Sequence, residues 1–174
     1  MKNIKNILIS SLLIVVLLII RPIHAQIKEA PANVAAALIV KLVSFAKNIC
    51  DNTGDITIYV LGSAEIAEEL KKGIGKNIGN AILKNVDSGA DLPATAPSVL
   101  YIGGTSRLKE VIRYSRSNKI LSTTGDPDLV KEGITLGVGV GDDAKPKILL
   151  NLTSSVEEGL DWNPAIMKIV QTVK

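Results

Sequence analysis

Three short apolar segments between Lys119 and Asn151 constrain the fold more than any other part of the sequence. Each is aliphatic and bounded by Gly, Asp or Pro, which predicts strands at 120–123, 134–140 and 147–150. A Gly-Asp-Pro-Asp loop separates the first two strands. The last two are joined by a tight polar loop, so we expect them to form a hairpin.

The middle strand of this group has an unusual alternation. Aliphatic residues alternate with small ones, namely Ile134, Leu136, Val138 and Val140 with Thr135, Gly137, Gly139 and Gly141. Period-two alternation places the aliphatic side chains on one face and nearly bare backbone on the other. A bare face weakens a strand and usually marks the close approach of another backbone, a helix or a ligand.

The rest of the chain alternates between helical and strand patterns. Apolar spacing and capping residues predict helices at 32–49, 64–72, about 105–117, 154–159 and 164–173, and strands at 56–61, 78–86 and 99–102. The expected helix caps are Ser63, Thr105 or Ser106, and Asn163 before Pro164, and Ile169 is expected to face inward from the last helix. This order predicts a single α/β domain. Its sheet is mixed but mostly parallel, with helices on both faces and a C-terminal β-hairpin and helix. The strand at 78–86 is expected near an edge.

The first 25 residues have the layout of a secretory signal peptide. Lys2 and Lys5 precede an apolar run of about 14 residues, and a small residue, Ala25, precedes the polar segment. The run is shorter than the roughly 20 residues that cross a bilayer as a helix. The alternative is that this segment is not cleaved and serves as a membrane anchor, because Arg21 and Pro22 are not a typical end for the apolar core of a signal peptide. The sequence therefore predicts an exported protein with a mature domain at 26–174.

Removal of residues 1–25 changes the charge balance. The whole chain has 20 basic and 17 acidic residues, and the signal contains three of the basic ones, which leaves 17 against 17. A near-neutral mature chain lacks the basic footprint of a nucleic-acid-binding domain. Nucleic acid is therefore not an expected partner.

Cysteine and histidine content excludes several chemistries. His24 lies in the signal, so the mature chain contains no histidine for a catalytic triad or a histidine metal site. Cys50 is the single cysteine, which rules out an intrachain disulfide. We expect it to be a buried small hydrophobe, with an intermolecular disulfide as the alternative. No metal, cofactor or catalytic residue is predicted.

Three weak motifs have simpler structural explanations. Gly103–Ser106 lies between a strand and a helix but lacks the spacing of a nucleotide-binding fingerprint. Ser106 and Lys109 match the Ser-x-x-Lys spacing of penicillin-recognising enzymes, without their partner motifs. Asp126 and Asp128 do not supply the regular ligand spacing of a calcium loop, and Asp is common in turns.

Several segments together resemble the YfiR-like family of small periplasmic proteins, over most of residues 32–173. The resemblance is strongest in Leu121–Asp126, in Gly133–Leu136 and in Lys147–Asn151. It implies a compact periplasmic α/β domain that binds the outward-facing part of an inner-membrane signalling protein. In the best-known members that partner is a diguanylate cyclase, whose restraint limits biofilm formation.

The sequence departs from the family pattern in ways that bear on regulation. The family's cysteines outside the first helix are absent, so disulfide-based redox control does not carry over. Glu132 stands where a second glycine is usual, and Asp128-Leu129 replaces Gly-Phe.

The principal hypothesis is a non-enzymatic regulator that docks on a membrane signalling protein through the 124–133 loop. The candidate partner- or ligand-binding residues are Thr124, Gly125, Asp126, Asp128, Gly133 and Asn151. Asn151 is expected to satisfy backbone groups in the 123–128 loop. A small-ligand sensor whose pocket lies between this loop and Gly103–Ser106 is the alternative. Hydrolysis through Ser106 and Lys109 is a third hypothesis. For the quaternary structure, a homodimer is an alternative to a monomer.

Overall fold

A computed structural model describes residues 27–51 and 54–173 of the 174-residue chain. The predicted signal peptide lies outside these ranges. The helices in the described ranges are α1 Ala32–Val43, α2 Lys47–Cys50, α3 Ala64–Lys71, α4 Leu108–Asn118, α5 Pro127–Lys131 and α6 Leu152–Glu157, with a 3-10 helix at Pro164–Lys168. The strands are β1 Lys28–Glu29, β2 Asp55–Leu61, β3 Asn77–Ile78, β4 Ala81–Gly89, β5 Val99–Ile102, β6 Leu121–Thr124, β7 Leu136–Val140, β8 Pro146–Asn151 and β9 Gln171–Val173.

These strands form one mixed sheet in the order β3-β4-β2-β5-β6-β7-β8-β9, with β1 paired to β7. Five adjacent strands, β4, β2, β5, β6 and β7, are parallel to one another. Strands β1, β3 and β8 pair antiparallel. The predicted mixed, mostly parallel sheet is confirmed, and β4 lies next to the edge strand β3, as expected.

At the central strand β5, apolar side chains pack against helices on both faces of the sheet. On one face Val99 and Tyr101 pack with residues of α1 and α3, including Ile39 and Ile66. On the other face the alternate residues of β5, Leu100 and Ile102, pack with Val111 of α4. Opposite-facing neighbours on one strand explain how four consecutive residues of β5 are all buried.

The predicted hairpin and the bare face of its first strand are both present. Strands β7 and β8 pair antiparallel. A side-chain carbon added at Gly137 would overlap Val130 of α5. One added at Gly139 would lie 2.6 Å from the backbone oxygen of Lys28 in β1. A helix and another backbone therefore fill the bare face, as the glycine pattern predicts.

The predicted single helix at 32–49 is interrupted at residues 44–46, between α1 and α2. Helix α1 ends at Val43, and Ala46 has extended backbone that forms an isolated bridge with Trp162. Asn163 N donates to Phe45 O over 2.7 Å, and Lys47 N donates to Asp161 O over the same distance. These bonds to a distant segment replace the helical bonds that the apolar spacing predicts.

The predicted C-terminal helix, 164–173, is also wrong beyond its first turn. Asn163 caps the 3-10 helix through Ala165 N, as the Asn-Pro pair predicts, but the helix ends at Lys168. Residues 171–173 then form β9, which pairs in parallel with β8. The expected inward side chain of Ile169 is 47% exposed.

The start of α4 differs from the expected cap. Neither Thr105 nor Ser106 is its N-cap, which is Arg107 without a side-chain hydrogen bond. The Thr105 hydroxyl instead accepts from Arg107 N over 3.0 Å and closes the turn before the helix. At α3 the expected cap is confirmed, because Ser63 Oγ accepts from Ile66 N.

Cys50 is a free, buried thiol, which confirms its predicted role as a small core residue. Its Sγ donates to Val43 O over 3.1 Å. Burial, with a smaller contribution from Asp51, raises the pKa of the thiol to about 11. Little thiolate is therefore present at neutral pH.

Candidate functional site

The candidate loop starts at the carboxyl end of β6, where parallel strands bring their following loops to one edge of the sheet. Strand β6 ends at Thr124 and its neighbour β5 ends at Ile102, with these two residues in register. The Thr124 hydroxyl donates to Ile102 O over 2.7 Å and accepts from Asp126 N over 3.1 Å. Thr124 is buried, so it fixes the start of the loop rather than contacting a partner.

Gly125 is packed beneath strand β1. A side-chain carbon at this position would lie 2.8 Å from Glu29 Oε1 and 2.9 Å from the Tyr101 hydroxyl oxygen. The Tyr101 hydroxyl donates to Glu29 Oε1 over 3.5 Å. Burial, followed by the Glu29 carboxylate, raises the pKa of Tyr101. The N-terminal strand therefore closes this edge of the sheet next to the candidate loop.

Asp126 and Asp128 begin the short helix α5, within the candidate loop. Asp126 is the N-cap, and its Oδ1 accepts from Asp128 N over 2.9 Å. Asp128 forms an exposed ion pair of 2.6 Å with Lys131. Both carboxylates face solvent, together with Lys131 and Glu132. These four charged side chains are the exposed residues of the loop, and Pro127 and Leu129 between them are half-buried.

Gly133 ends α5 in a backbone conformation that side chains disfavour. Its φ is +125°, and a side-chain carbon there would lie 3.0 Å from Ile112 of α4. The Ser154 hydroxyl donates to Gly133 O over 2.8 Å. This contact ties the end of the loop to helix α6.

Asn151 forms a hydrogen bond to the candidate loop, but with a different backbone group from the one expected. Its Nδ2 donates to Val130 O over 2.9 Å, inside α5 rather than in the 123–128 segment. Its Oδ1 accepts from Ser154 N over 3.0 Å and caps α6. Asn151 is buried, so one side chain joins β8, α5 and α6.

The six predicted site residues thus gather around one loop but divide into two groups. Asp126 and Asp128 are exposed, whereas Thr124, Gly125, Gly133 and Asn151 are buried and determine the loop's shape. Sequence reasoning did not select Lys131 and Glu132, which complete the exposed surface. The sequence signal that identifies these two residues is that they are charged and lie in a short segment flanked by turn residues.

Two separate cavities flank this edge, where the sequence predicts one pocket between the loop and Gly103–Ser106. One, of about 510 Å³, includes Gly103 and lies between Glu29 and Glu65. The other, of about 550 Å³, includes Ser106 and is bounded by Ile112 and Glu132. The two ends of the turn therefore belong to different cavities.

The Ser-x-x-Lys pair lacks the environment that its chemistry requires. Ser106 precedes α4 and Lys109 lies in its first turn, and both are exposed. A catalytic serine-lysine pair needs a lysine that is shielded from water. Ser106 and Lys109 are both in contact with solvent.

A buried polar cluster beneath α4 and α6 was missed by sequence reasoning. The fully buried Glu158 accepts hydrogen bonds from both the backbone N and the hydroxyl of Ser122. The Ser122 hydroxyl also accepts from Thr135 N over 3.0 Å. Burial raises the pKa of Glu158 to about 7, although the Ser122 bonds and Arg116 oppose the shift. In the sequence, Glu157 and Glu158 are adjacent acidic residues at a helix end, and no local pattern identifies Glu158 as the buried one.

Residues 27–51 and 54–173 contain neither a cluster of metal-binding side chains nor a membrane-spanning helix. No group of three or more His, Cys, Asp or Glu side chains there is arranged to hold a metal ion. Within the same residues, no helix has both the length and the apolar character needed to cross a membrane.

Comparison with known proteins supports the fold and the family. A conserved domain protein from Vibrio cholerae O1 biovar El Tor has a similar crystal structure, with a TM-score of 0.56 and 14% sequence identity. The similarity covers 84% of this chain and 61% of that chain, and at this identity it concerns the fold alone. No curated protein matches the chain. A family model described as YfiR/HmsC-like matches residues 32–171, and the chain therefore belongs to the YfiR/HmsC-like family.

Proposed function

We propose that the chain is a periplasmic, non-enzymatic regulator that binds an inner-membrane signalling protein and restrains it. Residues 1–25 serve as a cleavable export signal, and residues 26–174 form the mature domain. The partner is a diguanylate cyclase or a sensor kinase, engaged through its periplasmic part. Restraint of a cyclase lowers cyclic-di-GMP and limits biofilm formation.

Membership of the YfiR/HmsC-like family is the observation that carries this proposal. The chemistry of the chain agrees with it, because the mature sequence contains no histidine and its thiol is buried. A histidine base and an exposed thiol nucleophile are therefore missing from the described residues.

The 124–133 loop is the proposed docking surface. Its exposed face presents three acidic residues and one lysine, namely Asp126, Asp128, Glu132 and Lys131. Buried contacts hold its backbone at both ends, through Thr124 to Ile102 and through Ser154 to Gly133. A rigid loop loses little conformational entropy on binding, which favours a defined protein contact.

Charge reversal within the loop tests this surface. Asp128→Lys removes an exposed i,i+3 ion pair of 2.6 Å with Lys131. Glu68→Lys is a matched control, because Glu68 forms an exposed i,i+3 pair of 2.7 Å with Lys71 on α3. We expect Asp128→Lys to raise cellular cyclic-di-GMP and to reduce co-purification of the membrane partner. Glu68→Lys should match the parent in both assays. Equal behaviour of the two variants would exclude the loop as the docking surface.

A further inference from the structure

The connection between β4 and β5 crosses the sheet as a loop rather than as a helix. Strand β2 lies between β4 and β5 and is parallel to both, so the chain must pass over β2. Crossovers between parallel strands usually contain a helix that buries an apolar face. Here residues 90–98 make the crossing without helical structure.

The strand surface beneath this loop is polar, in keeping with the missing helix. Thr57 of β2 pairs with Asn85 of β4, and Tyr59 pairs with Asp87. Residues in register on paired strands share a face, so these four side chains lie side by side. Ile58, between the two β2 residues, faces the opposite core under α1 and α3.

Three side chains from other elements anchor the loop above this surface. The Tyr59 hydroxyl donates to Asp91 O over 2.9 Å, and the Tyr114 hydroxyl donates to Pro93 O over the same distance. Arg107 Nη2 donates to Asp91 Oδ1 over 2.7 Å. These bonds hold the loop in place over the strands, and an open cavity of about 590 Å³ lies between them.

The cavity is acidic on its floor and partly apolar on its roof. Lysine and arginine are absent from its lining, whereas Leu92, Pro93 and Pro97 of the loop contribute apolar surface. Arg107 neutralises Asp91. The Asp87 carboxylate accepts from Asn85 Nδ2 over 2.7 Å, and no cationic group of the described residues lies within ion-pair distance of it.

From this juxtaposition we propose that the cavity beneath residues 91–97 binds a small organic ammonium compound with an apolar body. Asp87 pairs with the ammonium group. The neighbouring Tyr59 ring adds a cation–π contact. The apolar roof covers the hydrocarbon part, and the volume lies in the range of small-molecule sites. This inference goes beyond the proposed regulatory function and does not depend on the 124–133 loop.

A pair of size-matched probes tests the proposal on the mature protein. Phenethylamine carries the ammonium group, and 2-phenylethanol is its neutral counterpart. We expect phenethylamine to bind with a Kd at least about 10-fold lower than the alcohol in an NMR titration. Amide shifts should centre on Tyr59, Asp87 and the 91–97 loop. Added salt should weaken amine binding, since the ion pair is partly exposed.

A substitution at Asp87 tests the contribution of its carboxylate separately from the contribution of the cavity's shape. Asp87→Asn keeps an oxygen acceptor for Asn85 and should weaken phenethylamine binding by about 10-fold, with little change for the alcohol. Glu68→Gln removes an exposed carboxylate elsewhere and should leave both affinities unchanged. Equal binding of the two probes by the parent, no binding of phenethylamine up to about 10 mM, or an unchanged affinity in Asp87→Asn would overturn the proposal.

Discussion

The side chain of Asn151 donates a hydrogen bond to the backbone oxygen of Val130 over 2.9 Å, and this bond ties strand β8 to the candidate loop. The same side chain caps α6 by accepting from Ser154 N. Because Asn151 is buried, its loss would leave Ser154 N without its capping partner. Val130 O would keep the longer bond from Gly133 N, over 3.3 Å. The stability of the loop therefore depends on a residue of the hairpin.

We expect Asn151→Ala to lower the free energy of unfolding by about 2–4 kcal/mol, from a lost buried hydrogen bond and a lost cap. Asn163→Ala is the control, because Asn163 is exposed and caps only the 3-10 helix through Ala165 N. It should cost about 1 kcal/mol or less. Urea denaturation measures both values, and equal losses would contradict the linking role of Asn151.

Glu158 should make stability depend on pH. Burial raises its folded-state pKa to about 7, from the ordinary glutamate value of 4.5. Between these values the folded state binds more protons than the unfolded state, so the free energy of unfolding falls as pH rises. The contribution is complete below pH 4.5 and is lost as pH rises through 7. Its size is about 3 kcal/mol.

Glu158→Gln removes this titration while retaining a similar shape. We expect denaturation midpoints measured from pH 5 to pH 8 to fall with pH in the parent and to be flatter in Glu158→Gln. Glu157→Gln is the neighbouring control, since Glu157 is exposed and pairs with Arg116 over 2.8 Å. A parental slope that persists in Glu158→Gln would show that other groups cause it.

The bare face of β7 is expected to be intolerant of even one added carbon. Gly137→Ala would overlap Val130 and should cost about 1–3 kcal/mol of unfolding free energy. At Gly104 an added carbon meets no atom within 4 Å, so Gly104→Ala should change stability by less than about 0.5 kcal/mol. Thermal unfolding of the two variants checks the difference. If Gly137→Ala left the free energy of unfolding unchanged, α5 would have to move away from β7 at little energetic cost.

The Cys50 thiol should be protected in the folded protein. Burial raises its pKa to about 11, so at pH 8 it is protonated and inaccessible. We expect a thiol reagent such as DTNB to react slowly with the native protein and rapidly in urea. A non-reducing gel of the native protein should show no disulfide-linked dimer. Rapid native labelling would contradict the buried position.

The elements that sequence reasoning predicted correctly depend on local pattern. Alternation and flanking glycines located β7 and its hairpin with β8, and Ser63 located the start of α3. The errors arise where a distant segment provides the hydrogen bonds. The break after α1 needs the bridge between Ala46 and Trp162, and β9 needs the edge of β8.

The candidate site shows the same division. Family motifs located the 124–133 loop, and its six predicted residues do lie around it. The partner of Asn151 and the burial of Glu158 depend on how α5 and α6 pack, which no local pattern records. The cavity beneath residues 91–97 likewise follows from strand order, because β4 and β5 flank β2.

Site-specific photo-crosslinking in cells tests the central claim most directly. A photoreactive phenylalanine analogue placed at position 128 lies on the exposed loop, and one placed at position 68 lies on the exposed part of α3. We expect position 128 to form a covalent adduct with one integral inner-membrane signalling protein, and position 68 to form none. Adducts of equal yield at both positions, or no membrane-protein adduct at position 128, would contradict docking through this loop.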